Sequence, residues 1–275
     1  MMKKILIAAM ILLCLTCAGC FQAKVDMIIT DDGAVFEHCK FTGNAFVIRQ
    51  IENWKAQNEQ YYPDLRAKPV VEGDMRGYEF DLSYPDIESY AKSDGDLHKA
   101  HAGRNKGISR RKGWFFDTYD FDFYFTTPPA KLPPEAEYFT QAAFKGVAYD
   151  VTIQLPYSAD SHNADRSDVT NKFLSWDLAP VLIHGGERFM NVRFKLWHEE
   201  KILLTAAIEL LLLAATIFFF VKARNEELET VGKDLRFKRN VFAGLFAALA
   251  IISAYMIFAP VTFTAADIIS LTARP

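Results

Sequence analysis

Two long apolar runs near the C-terminus constrain this chain more than any other feature of its sequence. Residues 202–221 form a run of 20 residues that contains one charged side chain, Glu209. Residues 241–258 form a second run of 18 residues, which ends shortly before Pro260. Because a helix rises about 1.5 Å per residue, each run is close to the roughly 30 Å hydrocarbon thickness of a bilayer. The sequence therefore predicts transmembrane helices at 202–221 and 241–258.

The segment between the two runs, 222–240, indicates the orientation. Basic residues that flank membrane helices stay on the cytoplasmic side. We therefore expect a cytoplasmic loop at 222–240, with residues 20–201 and a short tail, 259–275, on the outer side. The six basic residues of this segment are Lys222, Arg224, Lys233, Arg236, Lys238 and Arg239.

The N-terminus has the pattern of a secretory signal. A basic start at Met1–Lys4 precedes a short apolar stretch, and Ala18 and Gly19 stand directly before Cys20. Small residues before a cysteine resemble a bacterial lipobox, which predicts a signal peptide at 1–19 and a lipid on Cys20. The alternative is an ordinary signal peptide that ends near a cysteine. In either case Cys39 is the one other cysteine of the exported part, so an internal disulfide is not expected there.

Charge separates the exported part from the rest of the chain. The whole chain carries a net charge of −3. Residues 21–201 contain 22 basic and 28 acidic residues and sum to −6, while the remainder sums to +3. This balance argues against nucleic-acid binding, which needs a basic domain. We expect the protein in the bacterial cytoplasmic (inner) membrane, with its main domain on the periplasmic side.

The exported domain, 20–201, is expected to have an α+β fold. Apolar and polar residues alternate along several segments, which predicts an antiparallel sheet of about seven strands with one covered face. Helical spacing of apolar residues predicts one long helix at about 45–58. Such a grip-like domain either encloses an apolar pocket or fills its core with aromatic side chains. The clearest strand segments are 24–30, 34–41, 78–82, 115–125, 147–155, 173–178 and 190–196.

Two stretches of the exported domain resemble a known family. The opening Cys20–Met27 with Asp32-Gly33, and the later Leu155-Pro156, 161–165 and Trp176–Leu178, are similar to motifs of LppM-like envelope lipoproteins. The chain departs from that pattern at Tyr157, in a basic insertion near 98–112, and in its second apolar run. The resemblance implies an envelope-anchored α+β domain that binds a lipid or glycolipid and has no established catalysis.

A basic segment at 98–112 inverts the charge of this acidic domain. Its cations could bind phosphates of lipid headgroups or anionic glycolipids. The alternative is a solvated loop without a ligand. The candidate headgroup-binding residues are Lys99, Arg104, Lys106, Arg110, Arg111 and Lys112.

Glu209 is the candidate for a polar contact within the membrane, where an ionisable group is costly unless it has a partner. It could contact another membrane protein, or it could hydrogen-bond within the helix pair to Ser253 or Tyr255. The first alternative predicts a different function, that of an interaction subunit of an envelope complex.

No catalytic motif is legible, and we expect neither an enzyme nor a cofactor. His98 and His101 have a metal-ligand spacing in an unsuitable basic context, so no metal site is expected. Asp120 and Asp122 share one strand face and could act as paired carboxylates, although solvent-facing positions explain them more simply. The sequence thus predicts a non-enzymatic membrane lipoprotein that binds a lipid, a glycolipid or an anionic headgroup.

Overall fold

The computed structural model describes residues 21–44, 48–49, 52, 67–92, 107–127, 146–226 and 228–270. The expected signal peptide, Cys20 and most of the helix expected at 45–58 lie outside these residues, although Ile48, Arg49 and Glu52 are helical. The chain divides into two compact units. One comprises residues 1–109, 119–195 and 265–275, and the other comprises 110–118 and 196–264.

The first unit contains a seven-stranded sheet. Its strands are β1 (Phe21–Ile29), β2 (Val35–Gly43), β3 (Lys68–Glu72), β4 (Met75–Tyr84), β7 (Ala148–Gln154), β9 (Arg166–Ser167) and β10 (Phe173–Asp177). Their order in the sheet is β3-β4-β2-β1-β7-β10-β9. The expected opening hairpin is present, since β1 pairs with β2 in antiparallel register across a turn at Gly33, whose φ is 87°.

A second sheet has five strands in the order β12-β5-β6-β11-β8. These strands are β5 (Gly107–Arg111), β6 (Phe116–Thr127), β8 (Ser161–His162), β11 (Gly186–Trp197) and β12 (Ile268–Ser270). Two short helices, α1 (Ile87–Lys92) and α2 (Ala179–His184), complete the described part of the first unit.

The α+β class is confirmed, and the strands are arranged differently from the single antiparallel sheet that we expected. They form two sheets, and β1 pairs with β7 in parallel. Period-2 alternation determines which side chains of a strand share a face. It carries no information on which strand becomes the neighbour, because every strand with one buried face shows the same pattern.

The core of the first unit is filled with aromatic side chains. Phe121, Phe194 and Trp176 have no exposed surface. Phe121 contacts Phe194 with ring centroids 5.2 Å apart, and Phe125 of one sheet meets Tyr149 of the other at 5.6 Å. Edge-to-face rings at these separations pack favourably. The buried aromatic residues of these strands therefore fill a core.

Two long helices make up most of the second unit. They are α3 (Glu199–Arg224) and α4 (Glu229–Phe258), and both are long and apolar enough to cross a membrane. In the most apolar stretch of each, only 6% of α3 and none of α4 is buried. The helices are antiparallel, since Phe219 stacks on Phe242 while Glu209 meets Ser253. Apolar side chains exposed along helices of this length indicate a membrane association.

The helices differ from the expected spans at one end. Most of 222–240, expected as a loop, is helical, because α4 begins at Glu229. Lys233 pairs with Glu229, and Lys238 pairs with Asp234, both four residues apart. Such pairs stabilise a polar helix. The apolar run begins at Val241, but the helix that contains it begins twelve residues earlier, at Glu229.

Candidate headgroup-binding site

A cavity of about 210 Å³ lies within the second unit. One wall is the connection from β5 to β6, and the other is the last turn of α4 with the residues that follow it. The two walls are separated by about 140 positions in the chain. The residues that matter for its chemistry are Arg111, Lys112, Trp114, Phe116, Tyr255 and Pro260.

Two cations stand at this cavity. The Arg111 guanidinium donates hydrogen bonds to the backbone carbonyl of Thr262 and to its hydroxyl, the latter at 3.1 Å. Because these partners are neutral, the positive charge of Arg111 is not compensated there. Lys112 is exposed and has no hydrogen bond or ion pair among the described residues. The described residues that line the cavity include no carboxylate, so their summed charge is positive.

Aromatic side chains give the cavity an amphipathic wall. Trp114 donates its indole N–H to the Thr205 hydroxyl at 3.2 Å, and the Lys201 ammonium lies 5.6 Å from the Trp114 ring centroid. Tyr255, on the last turn of α4, is 73% exposed. Tryptophan and tyrosine favour the depth at which lipid headgroups meet hydrocarbon. The cavity therefore lies at an end of the helix pair whose composition suits a bilayer surface.

Arg110 has a different role from its two neighbours. It donates from Nε to the buried carboxylate of Asp117 at 2.8 Å. The same carboxylate accepts the Gly113 N–H at 3.1 Å and lies 3.1 Å from His198 Nε2. Burial raises the pKa of Asp117, but the hydrogen bonds from Arg110, Gly113 and His198 outweigh this effect and lower the pKa below its usual value. Arg110 therefore fixes the β5–β6 connection, and its charge is compensated.

The structure thus separates the predicted headgroup candidates. Arg111 and Lys112 line the cavity, whereas Arg110 is paired with Asp117. Lys99, Arg104 and Lys106 lie outside the described residues, as do His98 and His101.

Glu209 has a partner within the helix pair. The Ser253 hydroxyl donates to its carboxylate at 3.1 Å. This is one of the two intramolecular partners that the sequence suggested.

The acidic residues of β6 are engaged in pairing across the sheet. Arg193 donates to Asp120 at 2.6 Å, and Asn191 donates to Asp122. Among the described residues, no group of three or more His, Cys, Asp and Glu side chains could hold a metal ion. Cys39 is fully buried in β2 and is not part of a disulfide.

The sequence analysis did not include Trp114 or Tyr255 among the candidate site residues. The sequence contained a signal for both. Trp114 is an aromatic residue just after the basic segment, and Tyr255 is an aromatic residue near the end of the second apolar run. Aromatic residues concentrate at such membrane boundaries. No sequence pattern indicated that Pro260 and its neighbours would line the cavity.

The motif residues around Asn163 and Trp176 come together in the first unit. The Asn163 side-chain oxygen accepts the Trp176 indole N–H at 2.9 Å and the Asn191 backbone N–H at 2.8 Å. Its amide group donates to the Phe189 carbonyl at 2.9 Å. Because Trp176 is fully buried, its N–H needs such an acceptor. The hydrogen bonds of these motif residues therefore connect strands of the fold.

Comparisons with known proteins give one weak likeness. No family model and no curated protein matches the sequence. One solved structure, the folded domain of LppM from Mycobacterium tuberculosis determined by NMR, is similar at 12% sequence identity and a TM-score of 0.39. The likeness covers 66% of this chain and 93% of that domain. It amounts to a weak relation of fold.

Proposed function

We propose that this chain is a membrane-anchored envelope protein that binds the anionic headgroup of a lipid or glycolipid. The observation that carries the proposal is the cavity at the end of the helix pair, where Arg111 and Lys112 provide two cations beside Trp114 and Tyr255. A phosphate group would bind between the cations, and the apolar part of the lipid would continue along the exposed side chains of α4. The cations would contact the charged headgroup, and the aromatic and apolar side chains would contact the acyl chains, as a lipid at the membrane surface requires.

The charges of the site support binding of an anion. Arg110 is neutralised by Asp117, whereas Arg111 and Lys112 have no carboxylate partner in the described part of the chain. Arginine also offers several N–H donors, and the two contacts with Thr262 do not use all of them. An anionic headgroup would thus complete the hydrogen bonding of Arg111 and provide Lys112 with a counter-charge.

The lining of the cavity favours binding over catalysis. Its charged members are Arg111 and Lys112, and the described residues that line it include no carboxylate, histidine or cysteine that could act as a base or nucleophile. Two membrane helices, together with the expected lipid on Cys20, would make release from the membrane very unfavourable. We therefore infer local presentation or sensing of the ligand, since a shuttle would have to leave the bilayer.

The test is a titration of the full chain in detergent with phosphatidylglycerol, followed by native mass spectrometry. We expect tighter binding of phosphatidylglycerol than of zwitterionic phosphatidylcholine. A cation near a membrane surface contributes about 1 kcal/mol, so Lys112→Gln should weaken phosphatidylglycerol binding about fivefold. The control is Lys68→Gln, which removes the same charge from an exposed strand position of the first unit.

Two outcomes would contradict the proposal. One is equal affinity for the anionic and the zwitterionic lipid. The other is a loss in Lys68→Gln as large as that in Lys112→Gln, because it would show that net charge alone determines binding.

A further inference from the structure

The opposite end of the helix pair carries a second set of cations. α3 ends at Arg224 and α4 begins at Glu229. α4 has 30 residues and is therefore about 45 Å long, whereas hydrocarbon accounts for roughly 30 Å. Its apolar part starts at Val241, so residues 229–240 extend beyond the hydrocarbon as a continuation of the same helix.

Distance along the helix decides which of these cations reach lipid headgroups. The headgroup layer adds about 5–7 Å on each side of the hydrocarbon. At about 1.5 Å per residue, Arg239 and Lys238 lie about 3 Å and 4.5 Å from Val241 along the axis, within this layer. Arg236 lies about 7.5 Å from Val241, at the outer edge of the layer. Lys233 lies about 12 Å away and is outside this layer. Lys222 and Arg224 form the last turn of α3 and lie at the corresponding depth.

Ion pairing distinguishes the cations further. Lys233 and Lys238 each pair with a carboxylate four residues earlier, at 2.8 Å. Arg239 donates to the neutral Asn240 amide oxygen and lies 5.8 Å from the Phe220 ring. Lys222 lies 5.9 Å from the Phe218 ring. Neither these two residues nor Arg224 and Arg236 form an ion pair among the described residues.

We propose that Lys222, Arg224, Arg236 and Arg239 form a phosphate-binding collar for anionic lipids of the leaflet opposite to the cavity. These four cations lie within or at the edge of the headgroup layer and form no ion pair among the described residues, whereas Lys238 at the same depth is paired with Asp234. Phe237, which is 68% exposed, and Val241 place apolar surface beside them. By the distribution of basic residues, this leaflet is the cytoplasmic one. The collar is independent of the cavity and does not rest on the function proposed for it.

The test compares two double variants of the full chain that remove the same charge from the same segment. Arg236→Gln/Arg239→Gln removes two unpaired cations of the collar. Lys233→Gln/Lys238→Gln removes the two paired ones. Both are titrated with phosphatidylglycerol and phosphatidylcholine in detergent, and bound lipid is counted by native mass spectrometry.

We expect the arginine double variant to bind phosphatidylglycerol about 10- to 30-fold more weakly at this site, with little change for phosphatidylcholine. The lysine double variant should lose much less. Equal losses in both would overturn the collar, because they would show a diffuse effect of segment charge. Unchanged binding in the arginine variant would overturn it as well.

The two lipid sites can fail separately. If both exist, Lys112→Gln and Arg236→Gln/Arg239→Gln each remove one tightly bound lipid, and combining them removes two. Loss of a lipid only in Lys112→Gln supports the cavity and contradicts the collar. The reverse result supports the collar and contradicts the cavity.

Discussion

Asp117 shows how one residue stabilises the connection that carries the candidate site. Its carboxylate is 3% exposed and accepts hydrogen bonds from a guanidinium and a backbone N–H, with an imidazole also within reach. A buried charge is tolerated only with such partners. Arg111 and Lys112 directly follow Arg110, so this cluster determines where the two cations of the cavity lie.

The lowered pKa of Asp117 leads to a prediction about pH. A carboxyl group whose pKa is lower in the folded than in the unfolded chain stabilises the fold above the unfolded value of about 3.9. That contribution is lost as the pH falls through the folded pKa. At neutral pH, Asp117→Asn should cost about 2 kcal/mol, or roughly 4–8 °C in unfolding midpoint. Below about pH 4, the difference from the wild type should shrink.

Thermal unfolding of the full chain in detergent, followed by tryptophan fluorescence, measures both effects. Asp74→Asn, at an exposed turn, is the matched control and should change little. A deficit of Asp117→Asn that stays the same from pH 7 to pH 3 would be inconsistent with a lowered pKa. The pKa of Asp168 is lowered to about 2, mainly by a hydrogen bond from the Phe173 backbone N–H. Asp168 therefore contributes the same pH-dependent stability to the wild type and to Asp117→Asn, and this contribution cancels when the two are compared.

At the scale of elements, the helix pair combines an apolar interface with one polar contact. Phe219 and Phe242 stack with centroids 5.4 Å apart, and the Ser253 hydroxyl meets Glu209. A hydrogen bond between membrane helices contributes about 0.6 kcal/mol on average. Most of the association energy of α3 and α4 therefore comes from packing.

Glu209→Leu tests whether this carboxylate has a partner outside the chain. If Ser253 is its functional partner, Glu209→Leu should remove no co-purifying membrane protein and change stability by less than about 1 kcal/mol. Ser253→Ala removes the same hydrogen bond and should behave alike. Affinity purification from native membranes followed by mass spectrometry gives the answer. Loss of a specific membrane protein in Glu209→Leu alone would favour the interaction-subunit alternative.

At the scale of the whole molecule, the strand that follows the helices constrains membrane topology. β12 pairs with β5, through Ile268 opposite Ser109 and Ser270 opposite Ile108. β12 belongs to the same compact unit as residues 1–109 and 119–195. If α3 and α4 cross a bilayer, they must therefore enter and leave on the same side, because paired strands cannot be separated by a membrane.

Labelling of single cysteines in intact cells with a membrane-impermeant maleimide tests this topology. Lys68→Cys and Ala266→Cys should react from the same side. Glu226→Cys, between the helices, should react only after the membrane is permeabilised. The wild type is the control, since Cys39 is buried. Reaction of Ala266→Cys together with Glu226→Cys would show a single crossing and contradict the helix pair.

The sequence by itself determined the features that depend on neighbouring residues. Alternation along the chain located the strands of the opening hairpin and of β6, β7 and β11, and the two apolar runs located α3 and the apolar part of α4. Residues within a few positions of one another determine whether a strand has one apolar face and whether a helix is apolar on all sides. The local pattern is therefore enough to locate such a strand or helix. The basic segment also pointed to Arg111 and Lys112, although it did not distinguish them from Arg110.

Only the tertiary structure decided which distant segments meet. It pairs β1 with β7 in parallel, places His198 against Asp117 across 81 positions of sequence, and brings residues 111–118 and 255–261 together around one cavity. It also continues α4 through the segment that polarity alone suggested was a loop. Such contacts depend on how whole elements pack, because the free energy of each contact is gained only after the intervening chain has been ordered.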